Sequence, residues 1–382
     1  MKICLVNAVV GRSLDTAPKL RAKYWHIDRM AEALADRGHA VHVVQATPGP
    51  CEIAGRNYTA IAIEASRPSR HGNNRMLEID DYTLLEARLD GIQPDVIHLF
   101  GLTLQQPMRG LARWLHRNRG VLSASYHGGR PGRSPVARWR QRRVLRELSI
   151  AMFPAQDSLD RWRATRMLDT RTRTIIAPEV ASPFQGMSRD EGRKVFPVDG
   201  APLVAWCGRL HPIKDPLTTL RAMRVVFESI PDARLLMVYQ DAPLLEAVKD
   251  FVRSHELLHD RVHLLGEIPH ERVEALLSAA DVFVQSSVRE FGSNTLVEAM
   301  ACGAIPVVTD LPSLRQLTNS IGPARHFPVG DARAMAGEII AAAGGDIDAD
   351  RERVRNSCRQ VLSYEALAET WEQGFTHAGA GA

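Results

Sequence analysis

Two carboxylates and two cations have the types and spacing to do chemistry. Glu290 and Glu298 stand eight positions apart in the stretch from Asp281 to Asp310, DVFVQSSVREFGSNTLVEAMACGAIPVVTD. The stretch predicts a strand over Asp281–Ser286 and a helix capped by Ser293 or Asn294. Cys302-Gly303 closes the helix, and a second buried strand follows over Ile305–Thr309. A helix opening on Gly292-Ser293-Asn294-Thr295 offers free backbone N–H groups and a partial positive charge, which suits a phosphate. A carboxylate on each side of such an anion site accepts hydrogen bonds from sugar hydroxyls. Upstream, Gly208-Arg209 follows a predicted strand, and Lys214 lies five residues later in the loop. A guanidinium fork and a compact ammonium at the carboxyl end of a parallel strand clamp a diphosphate. Of 48 basic residues only Lys2, Lys19, Lys23, Lys194, Lys214 and Lys249 are lysines, so a lysine at 214 points to a specific need.

The same stretch resembles the signature of the retaining family-4 glycosyltransferases, enzymes of the GT-B fold. That signature has two glutamates separated by seven residues, then Ala-Met-Ala, a small residue and Gly, then a Pro-led strand. Glu290, Glu298-Ala299-Met300-Ala301-Cys302-Gly303 and Pro306-Val307-Val308 match it, while the loop through Phe291-Gly292-Ser293-Asn294 follows a subtype. The resemblance covers nearly all of the chain. It implies an α/β protein of two Rossmann-like domains facing across a cleft. Residues 1–182, completed by a C-terminal helix over 362–382 that crosses back, are then the acceptor domain. Residues 183–361 are the nucleotide-sugar donor domain.

Site roles follow from the same resemblance. Glu298 accepts from the ribose hydroxyls, Glu290 contacts the transferred sugar near its anomeric carbon, and Arg209 and Lys214 hold the donor phosphates. The amides of Gly292, Ser293, Asn294 and Thr295 complete the cradle. His127, in His127-Gly128-Gly129 after a strand over Val121–Tyr126, faces the donor sugar from the acceptor side. Gly11, in a flexible loop after the first strand, closes near the donor phosphates; His98 occupies a similar family position and reads as structural. The implied activity moves a hexose-type sugar from a UDP- or GDP-linked donor to a glycan, lipid-linked or small-molecule acceptor. Anomeric configuration is retained, no metal cofactor is expected, and no nucleic acid is a partner. A nucleotide-sugar epimerase of the same fold and a non-catalytic sugar-nucleotide-binding relative remain as alternatives. The loops depart from the family at Glu179-Val180 after Pro178, at Tyr239-Gln240-Asp241 where Gly-x-Gly is common, and at Leu311-Pro312-Ser313 where two glycines are common. These departures leave the donor's identity open.

The chain's bulk properties agree with an ordinary enzyme. Its 382 residues allow two full cores, and 45% hydrophobic with 24% charged residues is globular composition. A net charge of +4 does not by itself point to nucleic acid. The five cysteines are scattered and mostly apolar in context, as reduced thiols in a cytoplasm are. The N-terminal MKICLVNAVVG is interrupted too soon for a signal peptide, so the expected location is cytoplasmic, at most peripheral to the inner face of a membrane. One segment, 130–146 (RPGRSPVARWRQRRVLR), is densely basic around Trp139. It reads as a solvated helix face, with weak contact to an anionic membrane as the alternative.

To position these residues the chain must alternate strands and helices. Strands are expected at Lys2–Val6, His39–Gln45, Asp95–Leu99, Val121–Tyr126, Ile150–Phe153 and Thr174–Ala177, with a helix from about Lys23 to Arg37. The proline-rich segment from Pro178 to Pro202 reads as the connection between domains. A second series follows, with strands at Leu203–Cys207, Arg234–Tyr239 and Val262–Leu265 before the Glu290 stretch. Helices are expected over Leu217–Ser229, Leu244–Ser254, Glu271–Ala279, Asp331–Ala343 and Tyr364–Phe375.

Overall fold

The computed structural model describes residues 1–69, 76–129, 131–132, 134–178, 181–290 and 292–379. The sequence readings at Glu179-Val180, at Phe291 and at Arg130 and Arg133 lie outside those residues. The chain forms two compact units, Met1–Glu179 with Tyr364–Ala382, and Val180–Ser363.

The first unit is built on a seven-stranded parallel sheet. Its order is Arg173–Ile176, Ile150–Phe153, Val121–Ser125, Val96–Phe100, Lys2–Asn7, Ala40–Thr47 and Thr59–Glu64. The inner strands VIHLF, VLSAS and IAMF are buried at every position, as expected of parallel strands covered by helices on both faces. The C-terminal helix, Tyr364–Gly379, belongs to this unit. Trp371 and Phe375 pack on the His98 ring, and Arg37 Nε donates to Glu372 Oε2 at 2.6 Å. Gly374 lets the helix approach, since a Cβ there would lie 2.3 Å from Ile175 Cδ1.

Two local readings change. The helix expected from Lys23 spans Ala17–Asp36: Pro18 suits a first turn, and a non-helical φ at Tyr24 breaks the periodicity before the regular part. Gly11, expected in a flexible loop, ends a short strand, Val9–Gly11, paired antiparallel with Met76–Glu78. Its backbone avoids the left-handed region, so the residue is ladder rather than hinge.

The second unit carries a six-stranded parallel sheet, ordered Val262–Gly266, Arg234–Gln240, Leu203–Arg209, Val282–Gln285, Ile305–Thr309 and Arg325–Phe327. Within the proline-rich segment a helix forms over Arg189–Val195, because Ser188 and Glu191 make a reciprocal capping box. Gly192 seats it on the helix His270–Ala279, where a Cβ would lie 2.6 Å from Ala275 O. A sixteen-residue helix, Ile347–Leu362, has no counterpart in the expectations. Seven of its sixteen residues are charged, and its buried side is made by Val354, Cys358 and Leu362, spaced by four, together with the charged Asp350 and Arg351.

Asp281 anchors this unit. Its side chain is 2% exposed, and its oxygens accept from Arg189 Nη1 at 3.2 Å, Arg193 Nη2 at 2.9 Å and the Leu203 amide at 2.8 Å. One carboxylate thereby ties the Arg189–Val195 helix to the starts of two central strands. Asp281→Ala leaves these donors without their acceptor and costs about 3 kcal/mol. The expected readout is a lower urea midpoint for this unit at unchanged m-value. A shift within the roughly 0.5 kcal/mol of an ordinary surface change would mean the carboxylate anchors nothing.

Candidate functional site

The carboxyl ends of the second unit's strands gather most of the residues singled out above. Strands Leu203–Arg209 and Val282–Gln285 are adjacent, with Val204 opposite Val282. Gly208 and Arg209, expected beyond the strand, lie inside it, because the ladder with Arg234–Gln240 continues as far as Arg209 opposite Gln240. The Arg209 side chain is half exposed, with Asp241 Oδ2 3.8 Å away. Asp241 sits at φ +49, so an aspartate supplies the left-handed backbone that Gly-x-Gly would have supplied. Beyond Arg209 the loop turns on Lys214 N–H donating to His211 O at 2.8 Å. Asp215 then caps the helix Pro216–Ser229, its carboxylate accepting from Thr218 Oγ1 at 2.6 Å and Thr218 N at 3.3 Å.

Glu290 is the hub. Its Oε2 takes a hydrogen bond from Lys214 Nζ, a second from Gln285 Nε2 at 3.0 Å and a third from Ser287 Oγ at 3.2 Å. Its Oε1 has no donor among the described residues. The backbone around it is also held: Ser313 Oγ donates to Glu290 O at 2.7 Å. Val288 N–H bonds Ile213 O at 2.8 Å, and Ser286 Oγ lies 3.0 Å from Lys214 O and 2.8 Å from Asp215 O. Two loops from different strands are therefore stitched together before any ligand arrives.

Gln285 extends the network to the helix Asn294–Ala301. Its Oε1 accepts from Ser293 Oγ at 2.9 Å while its Nε2 holds Glu290. Ser293 is the N-cap, its hydroxyl accepting from Leu296 N–H at 3.2 Å, and it is buried. Its side chain is thus consumed by the protein, so what it offers a ligand is backbone only. Leu296 N is capped and Val297 N bonds Ser293 O, while the amides of Asn294 and Thr295 have no helical acceptor.

Glu298 lies deeper in the same helix, its side chain 8% exposed and 3.4 Å from His270 Nε2. Donating a hydrogen bond to the Glu298 carboxylate raises the His270 pKa above the ordinary imidazole value, against the opposing effect of burial. The His270 ring rests on Phe184, centroids 5.0 Å apart. Burial pushes the nearby Cys207 thiol up to about 12; Glu298 adds to that shift and Lys214 opposes it, so the thiol feels both charges.

The structure thus pairs Lys214 with Glu290 directly, joins Glu290 to Ser293 through the Gln285 amide, holds Glu298 with His270, and leaves Arg209 beside Asp241. Sequence reasoning missed Gln285, His270, Ser287 and Ser313. Gln285 had a readable signal, a polar residue ending an apolar strand run. Ser313 stood in one of the loops that depart from the family, and the departure places the hydroxyl that holds the Glu290 backbone. His270 and Ser287 carried no signal.

In the first unit, His127 follows the strand Val121–Ser125, one residue shorter than expected. Its Nε2 lies 2.6 Å from Ser125 Oγ and its ring centroid 5.8 Å from that of Phe100. Gly128 and Gly129 turn the chain at φ +94 and +96. A hollow of about 460 Å³ at these strand ends is lined by His127, Phe100, Tyr126, Phe153, Tyr364 and Trp371 among others, and Gly11 is not part of it. The basic segment forms a helix over Pro135–Leu145 on which Val136 and Trp139 are 58% and 62% exposed, with Arg143 5.9 Å from the Trp139 ring centroid. Among the described residues no three His, Cys, Asp or Glu side chains gather as a metal ligand set, and no helix is long and apolar enough to cross a membrane.

Comparison with known proteins agrees with this architecture. Residues 201–344 match the family model of group 1 glycosyl transferases, and residues 25–176 match that of Glycosyltransferase Family 4. The chain is similar to a 2-deoxystreptamine N-acetyl-D-glucosaminyltransferase of Streptomyces fradiae, 29% identical over 47% of this chain and 42% of that protein. It is also similar to a phosphatidyl-myo-inositol mannosyltransferase of Mycobacterium leprae, 24% identical over 85% and 84%. The matched part spans less than half the length of the first curated relatives. Among solved structures, sucrose-phosphate synthase from Thermosynechococcus elongatus superposes with a TM-score of 0.70 over 100% of both chains at 18% identity, a likeness of fold.

The Glu298–His270 contact makes its own prediction. A histidine whose folded pKa is raised contributes stability that is fully present below about 6.5 and is lost as pH rises through the folded value. Glu298→Gln removes the charge and returns the His270 midpoint toward 6.5, with loss of that pH-dependent stabilisation. An NMR titration of His270 with an unchanged midpoint in the variant would show that the contact does not form in solution.

Proposed function

Because the chain belongs to the group 1, family-4 glycosyltransferases of GT-B fold, we propose that it is a retaining hexosyltransferase using a UDP- or GDP-linked sugar. The acceptor is a glycan, a lipid-linked glycan or a small molecule. The observation that carries this reading is the Glu290 hub, which spends one carboxylate oxygen on Lys214, Gln285 and Ser287 and keeps the other for a ligand hydroxyl. Lys214 has three ammonium protons and gives one to Glu290, leaving two for phosphate oxygens. The Asn294 and Thr295 amides add neutral donors with the helix dipole behind them. Glu298 accepts from the ribose hydroxyls, and Arg209 exchanges its distant partner Asp241 for the diphosphate.

In the transfer step the bond from the anomeric carbon to the phosphate oxygen breaks, and a bond from the same carbon to the acceptor oxygen forms on the same face. The acceptor's proton passes to the departing phosphate. Lys214, Arg209 and the helix amides stabilise the charge that grows on that phosphate, a preorganised electrostatic contribution that needs no metal cofactor. His127 serves the acceptor side in the first unit. The exposed Trp139 and Val136 among arginines suit weak contact with an anionic membrane surface, which would bring a lipid-linked acceptor within reach.

The test is thermal stabilisation against a panel of nucleoside diphosphates and their sugars, with and without chelator. One diphosphate is expected to stabilise selectively, by about 2.7 kcal/mol at a hundredfold excess over its Kd. The effect should be lost in Glu298→Ala and be indifferent to chelator. With that donor, Lys214→Ala should lower kcat by roughly 10² in protein that is still folded, with Tm lowered because Glu290 loses one of its donors. No stabilisation by any diphosphate would overturn the donor site. For the membrane contact, cosedimentation with anionic vesicles should fall in Trp139→Ser; an equal pellet fraction for both proteins would remove the lipid surface from the account.

A further inference from the structure

Glu290 and Glu298 are held in opposite ways. Glu290 takes three donors on one oxygen. The Glu298 side chain, 8% exposed, meets a single donor among the described residues, His270 Nε2 at 3.4 Å from Oε1. Its neighbours on the same helix, Val297 and Ala299, are fully buried and apolar and offer no side-chain donor. A charge-assisted hydrogen bond is usually about 2.7–2.9 Å long, and a buried carboxylate short of donors is costly. Glu298 is therefore weakly served on Oε1 and, among the described residues, unserved on Oε2.

His270 is the better fixed of the two. It is the first residue of the helix His270–Ala279, whose opening turn is closed by Arg272 N–H and Val273 N–H donating to Pro269 O at 2.9 and 3.3 Å. Its ring rests on Phe184, inclined at 42°, and Phe184 N–H donates to Ser182 Oγ at 3.0 Å. A helix thus sets the imidazole's backbone, and a buried ring sets one of its faces. The hydrogen bond to Glu298 raises the His270 pKa, and the charges of Glu298, Glu271 and Glu274 add to the rise, so Nε2 keeps its proton toward the carboxylate. Glutamate turns about three side-chain bonds, and this one contact is what restrains the last of them here.

We propose that His270 is a positioning residue for the nucleotide-sugar donor: its contact on Oε1 fixes the plane of the Glu298 carboxylate, and Oε2 with the spare lone pair of Oε1 is left to accept from two adjacent ribose hydroxyls. A 2′,3′-diol is the matching group, because it brings two O–H donors on neighbouring carbons to the acceptors of one carboxylate. The identity of the recognised group rests on the reading of Glu298 as the ribose ligand. What His270 adds is the preorganisation of that carboxylate before the nucleotide arrives.

The experiment is calorimetry on the full chain with UDP and GDP, each beside its 2′,3′-dideoxy form. The wild type should prefer the ribonucleotide by about a hundredfold, roughly tenfold for each hydroxyl that meets the carboxylate. His270→Ala should cut that preference to about tenfold by weakening the ribonucleotide alone, and His270→Gln, which keeps an N–H near the Nε2 position, should restore most of it. A merely structural role for His270 would weaken both forms equally and leave the ratio where it was. An unchanged ratio in folded His270→Ala therefore overturns the positioning role. In Glu298→Ala, titrated at millimolar ligand, the two forms should bind alike, and adding His270→Ala should change neither. A further loss confined to the ribonucleotide there would mean that His270 touches the ribose itself, and would also overturn the proposal. No preference for ribose in the wild type, or no binding of either diphosphate, is the separate result that overturns the ribose reading of Glu298 and the proposal with it. If His270→Ala fails to fold, His270→Phe, which keeps a ring against Phe184 without the N–H, takes its place with the same expected ratio.

Discussion

A carboxylate oxygen that accepts three hydrogen bonds is the constraint on which the second unit's site depends. Glu290 Oε2 takes Lys214, Gln285 and Ser287, and each donor comes from a different piece of backbone. Lys214 is fixed by a turn that begins at the end of the strand Leu203–Arg209, Gln285 by the strand Val282–Gln285, and Ser287 by the loop between them and the helix. A partly buried carboxylate left without donors would be costly. The three donors remove that cost and at the same time set the spacing between an ammonium, a carboxylate and a helix N-terminus. The second oxygen takes no hydrogen bond among the described residues. Preorganisation and stability are thus supplied by the same contacts.

Gln285 shows how such a hub is transmitted. An amide has both a donor and an acceptor end, so one side chain holds Glu290 with Nε2 and Ser293 with Oε1. The cap of the helix Asn294–Ala301 is thereby coupled to the position of Glu290, and no charged residue is required in between. The loop residue Ser313 closes the arrangement from the other side by holding the Glu290 carbonyl. The first unit solves a related problem with neutral groups only. His98 pairs its two ring nitrogens with Ser123 and Ser125 inside an aromatic enclosure, and Ser125 also contacts His127.

Much of the core of each unit was legible because its signals are local. The apolar runs at Ile150–Phe153 and Ile305–Thr309 appear as strands with the expected bounds, since a parallel strand buried on both faces needs no partner to be recognised. Ser293 and Gly303 bracket their helix as capping chemistry requires, Gly303 at φ +86. Elements with weaker local signals were hidden. Ile347–Leu362 carries too many charges to show its stripe, Arg189–Val195 is masked by the prolines around it, and Gly11 is drawn into a ladder by Met76–Glu78, distant in sequence.

The sequence by itself determined the element order, the strand-end location of the cations and carboxylates, and the family to which their spacing belongs, because each depends on neighbours within a few residues. Tertiary structure alone decided the partners. It set Gln285 between Glu290 and Ser293, placed His270 on Glu298, turned the Ser293 hydroxyl inward and left Arg209 beside Asp241. It also brought Trp371 from the far end of the chain onto His98. A hydrogen bond selects its partner by distance and direction to within a few tenths of an ångström, and residues far apart in sequence acquire that geometry only when the sheets and helices that carry them have packed.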